Sequence, residues 1–94
     1  MVAERFDDRA ARVRLGVLEA LLAAARHFVD VATVVGAATD AQMARVELAE
    51  QFGWTPFEVE HVLDLRVRQL SLAAIAEWTE EAERLRQTLD DLPS

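Results

Sequence analysis

The sequence predicts an all-α protein: four helices in one domain, a small helical head carried on an antiparallel two-helix coiled-coil stalk. Three observations predict it. Gly and Pro number only three and two, while the strong helix formers Ala, Leu, Glu and Arg dominate. Apolar residues recur at steps of three and four along most of the chain. Two positions carry helix-start chemistry, a capping residue followed three places later by Gln or Glu: Thr39 with Gln42, and Thr55 with Glu58.

The first helix is predicted from about residue 2 to 35. Phe6, Ala10, Val13, Val17, Leu21, Ala24, Phe28, Val31 and Val35 form one stripe along it. At ~1.5 Å per residue it would be about 50 Å long, more than a globule of this size needs, so one end projects. Gly36 ends it. A second helix follows over about 40–52, capped by Thr39, with Met43, Val46 and Leu48 as its apolar residues and Gly53 as the left-handed stop. Thr55, Pro56 and Glu58 start a third helix that runs to about Leu70. It carries two apolar arcs, Val59, Val62, Leu63, Val67 and Leu70 on one side, and Phe57, His61, Leu65 and Leu72, with Arg68 among them, on the other. Such a helix needs cover from two sides. Ser71 is a candidate cap for the fourth helix, where Ile75, Trp78, Ala82, Leu85, Leu89 and Leu92 alternate steps of three and four as a heptad seam does. The natural mate for that seam is the Phe6, Ala10, Val13 and Val17 stripe, which gives a stalk of residues 1–17 and 73–92 and a head of residues 18–72.

Composition excludes several functions. The chain has no cysteine, so neither disulfides nor thiolate metal sites supplement its small core. A domain of this size buries only roughly 60–65% of its unfolded surface, which leaves association as the obvious supplement. A net charge of −7 argues against strong autonomous nucleic-acid binding, which needs clustered cations. No signal peptide or membrane span is read from the sequence, because Arg, Asp or Glu interrupts every apolar run; a cytoplasmic location is expected.

Enzymatic chemistry is equally sparse. Tyr is absent. His27 and His61 have no ligands at metal spacing, and Ser71 and Ser94 have no histidine at helical spacing. No catalytic, cofactor-binding or metal-ligating residue is assigned. The acidic run Glu77, Glu80, Glu81 and Glu83 reads as the solvated side of the stalk rather than a cation site. Arg5, Arg9, Arg12 and Arg14 read as a charged flank rather than a phosphate strip, because Glu4, Asp7 and Asp8 lie among them. Trp78 reads as a seam residue; Trp54, beside Gly53, is open between core and interface anchor.

In order, the chain carries R-F-x-x-R-x-A, V-L-E-A-L-L, A-A-T-D-A-Q-M-A-R, Q-F-G-W-T and V-L-D-L-R-V-R-Q-L. These blocks resemble the C-terminal part of the breakage–reunion domain of bacterial DNA gyrase A and topoisomerase IV subunits, the ends of the coiled-coil arms and the globular exit gate. The resemblance runs from about Arg5 to Leu89. It is densest at Val17-Leu18-Glu19, Phe52-Gly53 and residues 62–66. It departs at Ser71-Leu72-Ala73-Ala74, where that family has a small turn with Gly and then Glu.

That resemblance implies a gate element that closes by pairing with its own copy. The second arc of the third helix, Phe57, His61, Leu65, Arg68 and Leu72, is the expected pairing surface. The family's cleaving tyrosine, assisting arginine and acidic metal site belong to other parts of the protein, so this chain is expected to have no enzymatic activity of its own. A homodimer is the leading expectation. Pairing with gyrase A as a decoy, completion of a split topoisomerase in trans, and recruitment to an unrelated partner stand as alternatives.

Overall fold

The computed structural model describes residues 2–92, with side chains from Asp8 onward. Every regular element among them is helical: α1 (Val2–Arg26), α2 (Phe28–Ala37), α3 (Ala41–Phe52), α4 (Pro56–Leu63), a 3₁₀ turn (Val67–Leu70) and α5 (Leu72–Asp90). The all-α expectation holds. The count of four does not, because two of the expected helices are broken.

The first break is at His27. Its backbone (φ −115°, ψ 36°) leaves the helical region, and α2 turns away from α1 by 89°. Neither Gly nor Pro stands there, so local sequence carries no sign of it. The turn is a tertiary effect: it lays α2 over the head, where Val34 is buried in the main core. The second break follows Leu63. Asp64 closes α4 through its N–H to Glu60 O (3.1 Å), and Leu65 N–H bonds to Val62 O (3.1 Å). Gln69 Oε1 then accepts from Arg66 N–H (2.8 Å), stabilising the 3₁₀ turn.

Helix starts follow the sequence chemistry closely. Thr55 and Glu58 form the full reciprocal cap, Glu58 N–H to Thr55 Oγ1 (3.2 Å) and Thr55 N–H to Glu58 Oε1 (3.0 Å), with Pro56 in the first turn. Ser71 Oγ accepts from Ala74 N–H. Gly53 is left-handed (φ 70°, ψ 24°) and donates to Ala49 O. The cap of α3 is Asp40 rather than Thr39: its carboxylate accepts from Met43 N–H (2.8 Å), as a charged acceptor at a helix N-terminus does well.

α1 is the central element, buried on two faces. Val17, Ala20, Leu21 and Ala24 join Leu48 of α3, Trp54, and Val59 and Val62 of α4 in the main core. Leu18 and Leu22, with Leu15 beside them, pack on Ile75, Trp78, Ala82 and Leu85 of α5. α5 therefore lies along α1, but on a different stripe from the one expected. Val17 faces the main core, Val13 is 48% exposed, and Ala10 is exposed; Phe6 lies outside the residues whose side chains are described. The physical reason is that α1 carries two adjacent apolar stripes, and α4 takes the one expected to pair with α5.

Trp54 proves to be a core residue, stacked on Phe52 with ring centroids 4.5 Å apart. Of the three apolar residues expected to serve α3, only Leu48 is buried; Met43 and Val46 are exposed. Gly16 sits where α1 approaches the start of α4, and a Cβ there would overlap Glu58 Oε2. Among the described residues no single helix is long and apolar enough to cross a membrane.

Candidate functional site: an apolar pairing surface

The five residues expected to form one pairing arc do not share a face, because α4 ends at Leu63. Phe57 is 55% exposed. His61 lies half-buried against it, its Nδ1 3.0 Å from Phe57 O and its ring 4.6 Å from the Phe57 ring. Both line an open groove between α1 and α4, with Ala10, Val13 and Val17 along its floor and Arg9 and Arg14 beside it. Leu65 turns inward and packs on the main core. Arg68 lies on the 3₁₀ turn and is exposed. Leu72, the first residue of α5, is 87% exposed.

A second apolar surface lies outside the expected arc. α2, α4 and the 3₁₀ turn enclose a groove of about 210 Å³ lined by Ala24, Phe28, Val31, Ala32, Val35, Val62, Leu63, Leu65, Val67 and Leu70. Every lining residue is apolar. Phe28, Val29 and Val35 along α2 and Val67 on the turn stand exposed, Val67 by 75%. Periodicity alone puts Phe28, Val31 and Val35 in line with α1. No single apolar stripe in the sequence signals this groove, because its lining residues fall on separate elements.

Several charged residues form surface ion pairs. Arg14 reaches Glu81 with two hydrogen bonds (2.8 and 3.0 Å). Hydrogen bonding to Arg14 holds the Glu81 carboxyl below the usual glutamate range, and the same bond raises the Arg14 guanidinium. Arg86 lies 3.6 Å from both Glu19 and Glu83, Arg12 pairs with Asp8, and Arg45 pairs with Glu60. Glu81 of the acidic run on α5 thus meets Arg14 of α1 across the helices, while Glu83 and Arg12 pair along their own helices. Among the described residues no group of His, Asp and Glu is placed to hold a metal ion.

No protein-family model matches the chain. The DNA gyrase A protein of Deinococcus deserti is 31% identical over 90 residues, 96% of this chain and 11% of that protein. The DNA gyrase A protein of Clostridium acetobutylicum is 28% identical over 89 residues, 95% of this chain and 11% of that protein. The chain spans about a ninth of the length of these curated relatives. Over nearly its whole length, then, this all-helical chain is similar to one segment of DNA gyrase A, the family its residue blocks resemble.

Proposed function

We propose that the chain is a gyrase A-like exit-gate module that pairs with a second copy of itself and does no strand cleavage of its own. The observation that carries this reading is the apolar face of α2 and the 3₁₀ turn. Phe28, Val29, Val35 and Val67 are exposed around a groove with no polar lining residue. An uncovered face of that kind on a small domain marks an interaction site, and covering it supplements a core of limited size. Pairing across a two-fold axis needs one patch that meets itself. The interface is centred on α2 and the turn, with Leu65 beneath it and Arg68 and Leu72 following in the chain. Phe57 and His61 belong to the other groove.

In this reading α1 and α5 are the stalk, an antiparallel coiled coil. With Leu15, Leu18 and Leu22 facing Ile75, Trp78, Ala82 and Leu85, Arg14 and Glu81 both precede a seam residue, and Glu19 and Arg86 both follow one. Pairs between equivalent flanking positions suit antiparallel helices; parallel ones pair the two kinds of flank with each other. The chain has no tyrosine and a net charge of −7, which supports no cleavage chemistry and little direct DNA binding. It acts in the cytoplasm.

Likeness to gyrase A over 96% of the chain favours one second partner, gyrase A itself, engaged through the same face. Sedimentation equilibrium tests the central reading. At tens of micromolar, where even a dimer with a Kd of ~1 μM is mostly assembled, the wild type should be dimeric. Val67→Glu should give a folded monomer. A wild-type chain that sediments as a monomer there refutes self-pairing. Adding a gyrase A fragment to that monomer then tests the second partner.

A further inference from the structure

We propose that His27 is a hinge at which α1 and α2 join into one continuous helix, so that two copies of this chain exchange their α1 segments. This exchange is independent of the face-to-face pairing above, since it uses different contacts.

Three observations lead there. First, the apolar stripe passes through the break undisturbed: Leu21, Ala24, Phe28, Val31 and Val35 keep steps of three and four. The local sequence encodes one long helix, and the break holds neither Gly nor Pro. Second, no side-chain hydrogen bond from His27 fixes the bend; its ring has only looser contacts, 6.4 Å to the Phe52 ring and 3.8 Å to the Asp30 carboxylate. His27 is exposed, and its side chain makes no capping bond to α2. The first N–H groups of α2 therefore lack the partners that a preceding helical turn would supply. Val34 is the one buried residue of α2.

Third, the contacts that hold α1 do not depend on the hinge. Val17 lies in the main core with Val59 and Val62 of α4, and Leu18 and Leu22 pack on Ala82 of α5. In an exchanged pair, α1 of one copy makes these same contacts with α4 and α5 of the other, including Arg14 with Glu81. Closed and exchanged forms then differ only around the hinge and in association. Straightening gives the N–H groups of Phe28, Val29 and Asp30 helical acceptors at residues 24–26. Against it stands the freedom lost when two chains combine. The balance depends on concentration, and a connection of one residue is the kind that favours exchange.

Two charge-reversed chains test this. Arg14→Glu faces Glu81 with a like charge, and Glu81→Arg faces Arg14 with one. In closed monomers, or in face-to-face dimers of closed chains, each mismatch stays inside its own fold unit. In an exchanged heterodimer of the two variants, both sites pair opposite charges. The two chains, given different mass tags, are unfolded, mixed and refolded at high concentration, and dimers are counted by native mass spectrometry. The expected result is a heterodimer-to-homodimer ratio about threefold or more above the random value of one, the scale of two exposed ion pairs. His27→Ala, which raises helix propensity at the hinge, should increase the dimer fraction further.

Should the charge variants not fold, Arg14→Cys with Glu81→Cys in one chain gives a second readout, since the protein has no other cysteine. A flexible bis-maleimide joins two chains if α1 is exchanged and closes a loop within one chain if it is not. Heterodimers at the random proportion, or loop closure alone, overturn the exchange while leaving face-to-face pairing intact. A protein that stays monomeric throughout overturns both.

Discussion

Gly16 poses a problem that a double-mutant cycle resolves. An interior helical glycine replaced by Ala ordinarily stabilises by ~1 kcal/mol. Here the new methyl would overlap Glu58 Oε2, so the Glu58 side chain must swing away. That side chain accepts from Thr55 N–H at 3.0 Å, one half of the cap that starts α4, and losing it costs about 1 kcal/mol. The two effects nearly cancel, and Gly16→Ala alone should change stability by less than ~0.5 kcal/mol. With Glu58→Ala already in place, nothing obstructs the methyl, and the same change should stabilise by ~1 kcal/mol. At roughly 4–8 °C per kcal/mol for a domain of this size, the first substitution barely moves Tm and the second raises it by several degrees. Thermal unfolding followed by circular dichroism reads both. Equal gains in the two backgrounds, additive within ~0.3–0.5 kcal/mol, would refute the claim that Gly16 exists to seat Glu58.

Four further expectations follow. Leu48→Ala should cost about 2–5 kcal/mol in urea unfolding, because Leu48 is fully buried, whereas exposed Met43→Ala should cost far less. Leu72→Glu should leave Tm nearly unchanged and weaken self-association, since Leu72 is 87% exposed, whereas Leu65→Glu should lower Tm because Leu65 packs on the main core. The Glu81 carboxyl is lowered from 4.5 by its bond to Arg14; the stability it adds is fully present above that value and is lost as pH falls through the lowered one. Both side chains are a third or more exposed, so this amounts to a few tenths of a kcal/mol, and Arg14→Gln should flatten the acid limb of stability against pH by that much. Supercoiled plasmid incubated with the pure protein should be neither cleaved nor relaxed, as gel electrophoresis would show.

Helix starts were legible because they are local chemistry. Thr55, Glu58 and Ser71 act through bonds to neighbours three residues away, Pro56 suits the first helical turn, and the stop at Gly53 is equally local. Helix ends at Arg26 and Leu63 were not, because nothing near His27 or Leu65 opposes a helix; the breaks come from what α2 and Leu65 bury. The main core was legible as a stripe, but its partner was not. Periodicity says that Val13 and Val17 share a side of α1, and it cannot say whether α4 or α5 covers that side. The end of α4 at Leu63 split the expected pairing arc, and periodicity could not reveal the groove beneath α2. Its walls come from segments far apart in sequence, and no single stripe contains them.

Ala82, buried completely between Leu18 and Leu22, makes the long α1–α5 contact a keyed joint. A slide of α5 by seven residues would bring Ile75 or Leu89 to the place of that small side chain, and either is too large for the space. The same slide would set Ala74 or Thr88 opposite Arg14, where Glu81 now stands, and so abolish a charge pair as well as the fit. Steric and electrostatic keys thus fail together at the nearest alternative register. A slide of one heptad is opposed by size and by charge at once, which favours joint movement of the two helices over slippage.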